Sequence, residues 1–100
     1  MNVETLLQQL RELQTTLENR LQEAPPEEKD TLRRAIFDLS KTIQRIETQV
    51  LENLANGLEA NQAELEEGIK ALKSDLAQLG KVANVFEDIT KIAGIIAKIV

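Results

Sequence analysis

The stretch LENRLQEAPPEEKDTLRRAI, residues 17–36, decides how this chain folds, because it ends one amphipathic helix and begins another with almost nothing between them. Pro25 and Pro26 disfavour the α conformation at the residue before each and remove backbone donors, so the helix arriving from the N-terminus stops near Glu23. The same prolines open the next helix. Pro26 suits its first position, where a missing N–H costs nothing, and Glu27 and Glu28 lie against the positive helix N-terminus. A connection this short sends the second helix back antiparallel along the first.

Upstream of the prolines, Val3, Leu6, Leu10, Leu13, Leu17 and Leu21 recur in steps of three and four, with Leu7 the one apolar widening. Downstream, Leu32, Ile36, Leu39, Ile43, Ile46, Val50 and Leu54 recur in the same way. Such stripes are as narrow as the seam of a coiled coil. The expected helices are 2–23 and 26–56, joined at the turn 24–26. Two helices of this length bury little surface, and the pair needs further helices or another copy of the chain.

The boundary in the middle, LENLANGLEANQAELEE (residues 51–67), carries two signals for a turn over 57–60. Asn56 and Gly57 can close a helix with Leu58 as the hydrophobic contact of a Schellman motif, and Asn61 with Glu64 reads as a capping box. Against them, Leu54, Leu58 and Leu65 sustain a seam if one stutter is allowed, which would make residues 26 onward one unbroken helix. Beyond this point the seam resumes at Leu65, Ile69, Leu72, Leu76, Leu79, Ala83, Phe86, Ile89 and Ala93. Gly80 either breaks this stretch into helices 61–79 and 81–100 or bends it, and the continued register favours the bend.

The tail is more apolar than any one seam requires. Ile92, Ile95, Ile96, Ile99 and Val100 cover more than half of a helix circumference, with Lys91 and Lys98 as the charges of the last ten residues. Enclosure by other helices accounts for this composition, and so does a membrane-surface helix over 82–100, with Phe86 and Ile89 on its apolar side. A spanning segment fails, because Asn84, Glu87, Asp88 and Lys91 interrupt any window of the required length, about 20 residues.

Composition excludes more than the motifs include. The 100 residues hold no Cys, His, Trp or Tyr, so thiolate and imidazole metal sites and His-dependent catalysis are absent, and no cofactor is expected. Lys70 and Ser74 stand one helical turn apart, a spacing that a solvated helix face produces by chance. Gly57, Gly68, Gly80 and Gly94 form no phosphate-binding loop. Twelve basic against seventeen acidic side chains give a net charge of −5, which argues against nucleic acid as a partner. The charge is uneven: five acids and no base lie between Glu52 and Glu67, and three acids against five Lys follow Gly68. Those central acids solvate a turn and favour a helix N-terminus, or form a docking patch for a basic partner.

The expectation is an all-α, coiled-coil-like bundle: an antiparallel hairpin extended by a long or bent C-terminal helix and completed by oligomerisation. Its function is non-enzymatic, that of a self-associating scaffold, adaptor or assembly factor acting through its apolar seams, on itself or on a protein partner. The alternative is a membrane-active protein that binds lipid through residues 82–100, as helical pore-forming components do. The start MNVETLLQQLREL lacks the build of a secretory signal, which favours the cytoplasm.

Overall fold

A computed structural model of the chain describes residues 2–78 and 81–99, with the side chain of Leu51 outside that description. The helices are α1 (Val3–Glu23), α2 (Pro26–Glu47), α3 (Leu51–Leu76) and α4 (Val82–Ile99). No strand is present among the described residues.

The first two helices follow the sequence closely. Asn2, extended at φ −108° and ψ 173°, caps α1 by accepting the Thr5 N–H at 2.8 Å, and Glu4 lies in the first turn with Arg20 in the last. Ala24 and Pro25 are extended at ψ 146° and 155°, and Pro26 enters α2 at its start. The two helices run antiparallel: Arg11 meets Glu47 at 3.1 Å, and Gln14 donates to Ser40 Oγ at 2.5 Å.

The second boundary differs from the expected one. α2 ends at Glu47 rather than 56, and the chain turns through Thr48, Gln49 and Val50. Thr48 closes the helix by donating its N–H to Gln44 O at 3.2 Å and its hydroxyl to Arg45 O at 3.0 Å. Val50 then adopts an extended φ −71°, ψ 125°, the conformation β-branched residues favour. The turn expected at 57–60 is absent, since α3 runs through it. Both misleading signals have other uses. Asn61 donates its side-chain amide to Gly57 O one turn back, at 2.9 Å, and caps nothing. Gly57 admits α4: a Cβ there would collide with Ile99 Cγ2 and approach Ile99 Cβ to 3.1 Å.

The third boundary is a break, not a bend. α3 ends at Leu76 and Ala77 donates its N–H to the carbonyls of Lys73 and Ser74, both at 3.2 Å. The chain re-enters helix at Val82, and α4 folds back antiparallel to α3, with Gly57 against Ile99 and Gly68 against Ile92. Leu79 and Gly80 lie outside the described residues.

Extended packing joins α1 to α2, α2 to α4, α4 to α3 and α3 to α1, so the helices form a ring in the order α1–α2–α4–α3. The consecutive helices α2 and α3 therefore occupy opposite corners. Four Cα steps from Glu47 to Leu51 reach about 14 Å, enough for the diagonal of a square of helices packed ~8–10 Å apart. The result measures 42 × 23 × 18 Å with a radius of gyration of 13.3 Å, compact for a chain of this length.

Leu6, Leu10, Leu17, Leu32, Leu39, Ile46, Leu54, Leu58, Leu65, Leu72, Ile89 and Ile92 are the large side chains fully enclosed in the common core. Each contributes on the order of 1.5–3 kcal/mol by leaving water. The seams thus close on each other inside one chain. The sequence argument that narrow seams need a second copy does not apply to this bundle, because α3 and α4 supply the missing surface.

Candidate functional site

The residues expected to mediate contact lie mostly inside. Leu13, Ile43, Ile69, Leu76 and Ile96 join the buried set, whereas Leu21, Ile36, Phe86, Ile95 and Ile99 pack against its edge. Val50, expected in the second seam, is 64% exposed because it sits in the turn between helices. Leu79 and Val100 lie outside the described residues.

The break before α4 also resets the helical phase. Its buried stripe is Val82, Val85, Ile89, Ile92 and Ile96, while Ala83 faces solvent and Ala93 is half-buried. The even register read across Gly80 missed Val82 and Val85, and the tight packing of Ala35 was missed as well. Their signal was present in the three–four spacing from Val82 onward, once a new helix is allowed to start there.

Three places on the outside of the bundle have distinct chemistry. The first is a groove of about 880 Å³ along α3 and α4, floored by Gly68, Ala71, Gly94 and Ile95 and edged by Lys70, Lys91 and Lys98 together with Glu64 and Glu67. Lys70 and Ser74 both line it. At its inner side Asp88 is buried, and its Oδ2 has no hydrogen-bond partner. Burial first, and then Asp75 on α3 through a side-chain hydrogen bond and its charge, together raise the Asp88 pKa to about 6. Lys91 pulls the other way. Asp88 therefore holds its proton more readily than an ordinary carboxyl does. Among the described residues no three acids gather to hold a metal ion.

The second place is the end of α3. Arg20, on α1, donates to the carbonyl oxygens of Leu76 and Gln78, supplying a cation where the helix dipole is negative. This contact is structural.

The third is the outer face of α2. Its buried residues, Leu32, Ala35, Leu39, Thr42, Ile43 and Ile46, set the inward direction, and at ~3.6 residues per turn Phe37 falls almost opposite to them. Phe37 is 61% exposed. The Lys41 ammonium sits 5.1 Å from the centre of its ring, a cation–π distance. Arg33, Arg34, Phe37 and Asp38 border a shallow groove of about 430 Å³ that ends on Phe86 of α4. Lys29, Arg33, Lys41 and Arg45 recur every four residues about Phe37, giving one oblique cationic stripe with an aromatic centre. The four-residue spacing of this stripe is visible in the sequence, but its exposure is set by which side of α2 the other helices cover.

Comparison of the chain with protein families, with characterised proteins and with solved structures finds no match.

Proposed function

We propose that this chain is a non-enzymatic, self-associating helical-bundle module, a scaffold, adaptor or assembly factor that works through contacts made by its outer faces. The observation that carries the reading is Phe37, a large aromatic side chain turned away from the core, with Arg33, Arg34 and Lys41 about it and Asp38 beside it. A side chain of that kind contributes little to its own fold and much to an interface, where aromatic and Arg residues concentrate binding energy. The seams named in the sequence reading are occupied within the bundle, so the working surface is the face opposite to them. Buried Asp88 and the Lys70–Ser74 pair offer no arrangement of nucleophile, base and oxyanion donor.

Light scattering coupled to gel filtration over a wide range of concentration tests this. Growth in mass with concentration is the expected result; a monomer throughout overturns it. Binding to lipid by residues 82–100 is the competing reading. It requires Val85, Ile89, Ile92 and Ile96 to leave the core before they meet a bilayer, and among the described residues no helix is long and apolar enough to cross one. Flotation with liposomes, lost on truncation at Gly80, would favour that alternative.

A further inference from the structure

We infer that copies of this chain join side by side, the cationic outer face of α2 in one copy docking on the acidic outer face of α3 in the next. The inference rests on the self-association reading and names its two surfaces.

The α3 face is the acid-rich segment that the sequence singles out. Leu54, Leu58, Leu65, Ile69, Leu72 and Leu76 point α3 inward, which leaves Ala63 on its outer side and Glu59 and Glu66 on the flank nearer α1, with Lys70 one turn beyond Glu66, all exposed. Glu67 flanks them, exposed as well. The turn that these acids were expected to solvate does not exist; Glu52 lies in the first turn of α3 and Glu64 pairs with Lys98 at 3.8 Å, which accounts for two of the five and leaves Glu59, Glu66 and Glu67. Among the described residues, Glu59, Glu66, Arg34 and Lys41 have no ion-pair partner within the chain.

The two faces match in register as well as in sign. On α2, Arg34, Phe37 and Lys41 are spaced by three and then four residues; on α3, Glu59, Ala63 and Glu66 are spaced by four and then three. Laid antiparallel, Arg34 meets Glu66, Phe37 meets Ala63 and Lys41 meets Glu59, with Arg33, which pairs with Asp30 at 3.3 Å in its own helix, opposite Glu67. Each charged pair is set about 10.5 Å along the axis from the next, two helical turns. Small Ala60 and Ala63 leave space for the Phe37 ring between the ion pairs, an apolar centre with a charged rim.

The ring order fixes what such a contact builds. α2 and α3 stand at opposite corners, so their outer faces point away from each other and one pair of copies cannot use both contacts at once. Each contact leaves a free α2 face at one end and a free α3 face at the other, a head-to-tail interface that extends in series or closes as a ring. Because α2 and α3 are antiparallel within the chain, antiparallel docking between copies keeps every copy in the same orientation.

Sedimentation of the full chain tests the pairing with two double variants, Arg34→Glu with Lys41→Glu and Glu59→Lys with Glu66→Lys. Each alone is expected to remain monomeric at concentrations roughly tenfold above those at which the parent associates. Their equimolar mixture is expected to associate again as the parent does, since the unaltered α3 face of one variant meets the unaltered α2 face of the other and the two reversed faces complement each other in turn. Thermal melts confirm that these surface variants fold; Phe37→Ser, which keeps every charge, serves as a third reading of the same interface. A parent that associates while the variants associate equally well overturns the pairing and leaves self-association standing. A mixture that stays monomeric overturns it also, and a parent that never associates overturns both.

Discussion

The guanidinium of Arg20, near the end of α1, closes the end of α3 by donating to the carbonyl oxygen of Leu76 and, at 2.8 Å, to that of Gln78. Charge-assisted bonds of this kind hold two helices together where the chain reverses. Arg20→Ala is expected to destabilise the bundle by about 1–3 kcal/mol, measured as a lower denaturant midpoint at unchanged slope. Arg20→Lys should recover only part of the loss, because one ammonium cannot fork between two carbonyls as a guanidinium does.

Glycines in α3 and α4 separate propensity from packing. A Cβ at Gly94 meets nothing within 4 Å, so Gly94→Ala should stabilise the protein by about 0.5–1 kcal/mol through helix propensity. At Gly57 the same methyl collides with Ile99, and at Gly68 it would stand 3.1 Å from Ile92 Cγ1. Gly57→Ala is therefore expected to lower the melting temperature and Gly68→Ala to gain less than Gly94→Ala. Equal gains at all three positions would contradict the close approach of α3 and α4.

Asp88 gives the stability a pH dependence of unusual sign. Its folded pKa of about 6 lies above the ordinary 3.8, so the folded state holds a proton that the unfolded state has released between those values. Its contribution is most favourable below pH ~4 and is lost as pH rises through about 6, by as much as ~3 kcal/mol. Asp88→Asn removes the charge and lets the side chain donate to Asp75. Urea melts from pH 4 to 7.5 should show the variant more stable at the upper end and the difference shrinking toward the lower.

The exposed position of Phe37 predicts a division between stability and association. Phe37→Ser removes the ring beneath the Lys41 ammonium, worth about 0.5–1 kcal/mol at an exposed site, and leaves the core untouched. The melting temperature should barely move while the association constant falls. A large loss of stability would place Phe37 in the fold rather than at an interface.

A continuous α3 makes Ala60→Pro severe. Within a helix the ring clashes with the preceding turn and removes a backbone donor, costing about 3 kcal/mol or more, whereas a turn over 57–60 would accept it readily. Circular dichroism and melting of the variant distinguish the two.

How far the sequence could be read depended on the range of the force involved. Pro25 and Pro26 act on their neighbours, and the α1–α2 boundary fell where they place it. Leu6, Leu10, Leu13 and Leu17 are buried as their spacing requires. Thr48 and Val50 carried only a weak β-branched signal, so the end of α2 was missed, and Gly57 was misread because a helix cap and a close helix contact demand the same residue. The Phe37 stripe was visible as spacing, but its exposure depends on which side of α2 the other helices occupy.

By itself the sequence determined that the chain is helical, that its leucine and isoleucine stripes are interior, that the first hairpin turns at the prolines, and that Cys and His chemistry is absent. These follow from sterics and periodicity within a few residues. Only the tertiary structure decided that α4 folds back on α3, that Val82 and Val85 replace Ala83 in the core, that Asp75 meets Asp88, and that α2 and α3 stand at opposite corners with their charged faces outward. Those relationships join residues far apart in the chain. They depend on which helix faces approach one another, and that is set by the packing of the whole bundle rather than by any local stretch.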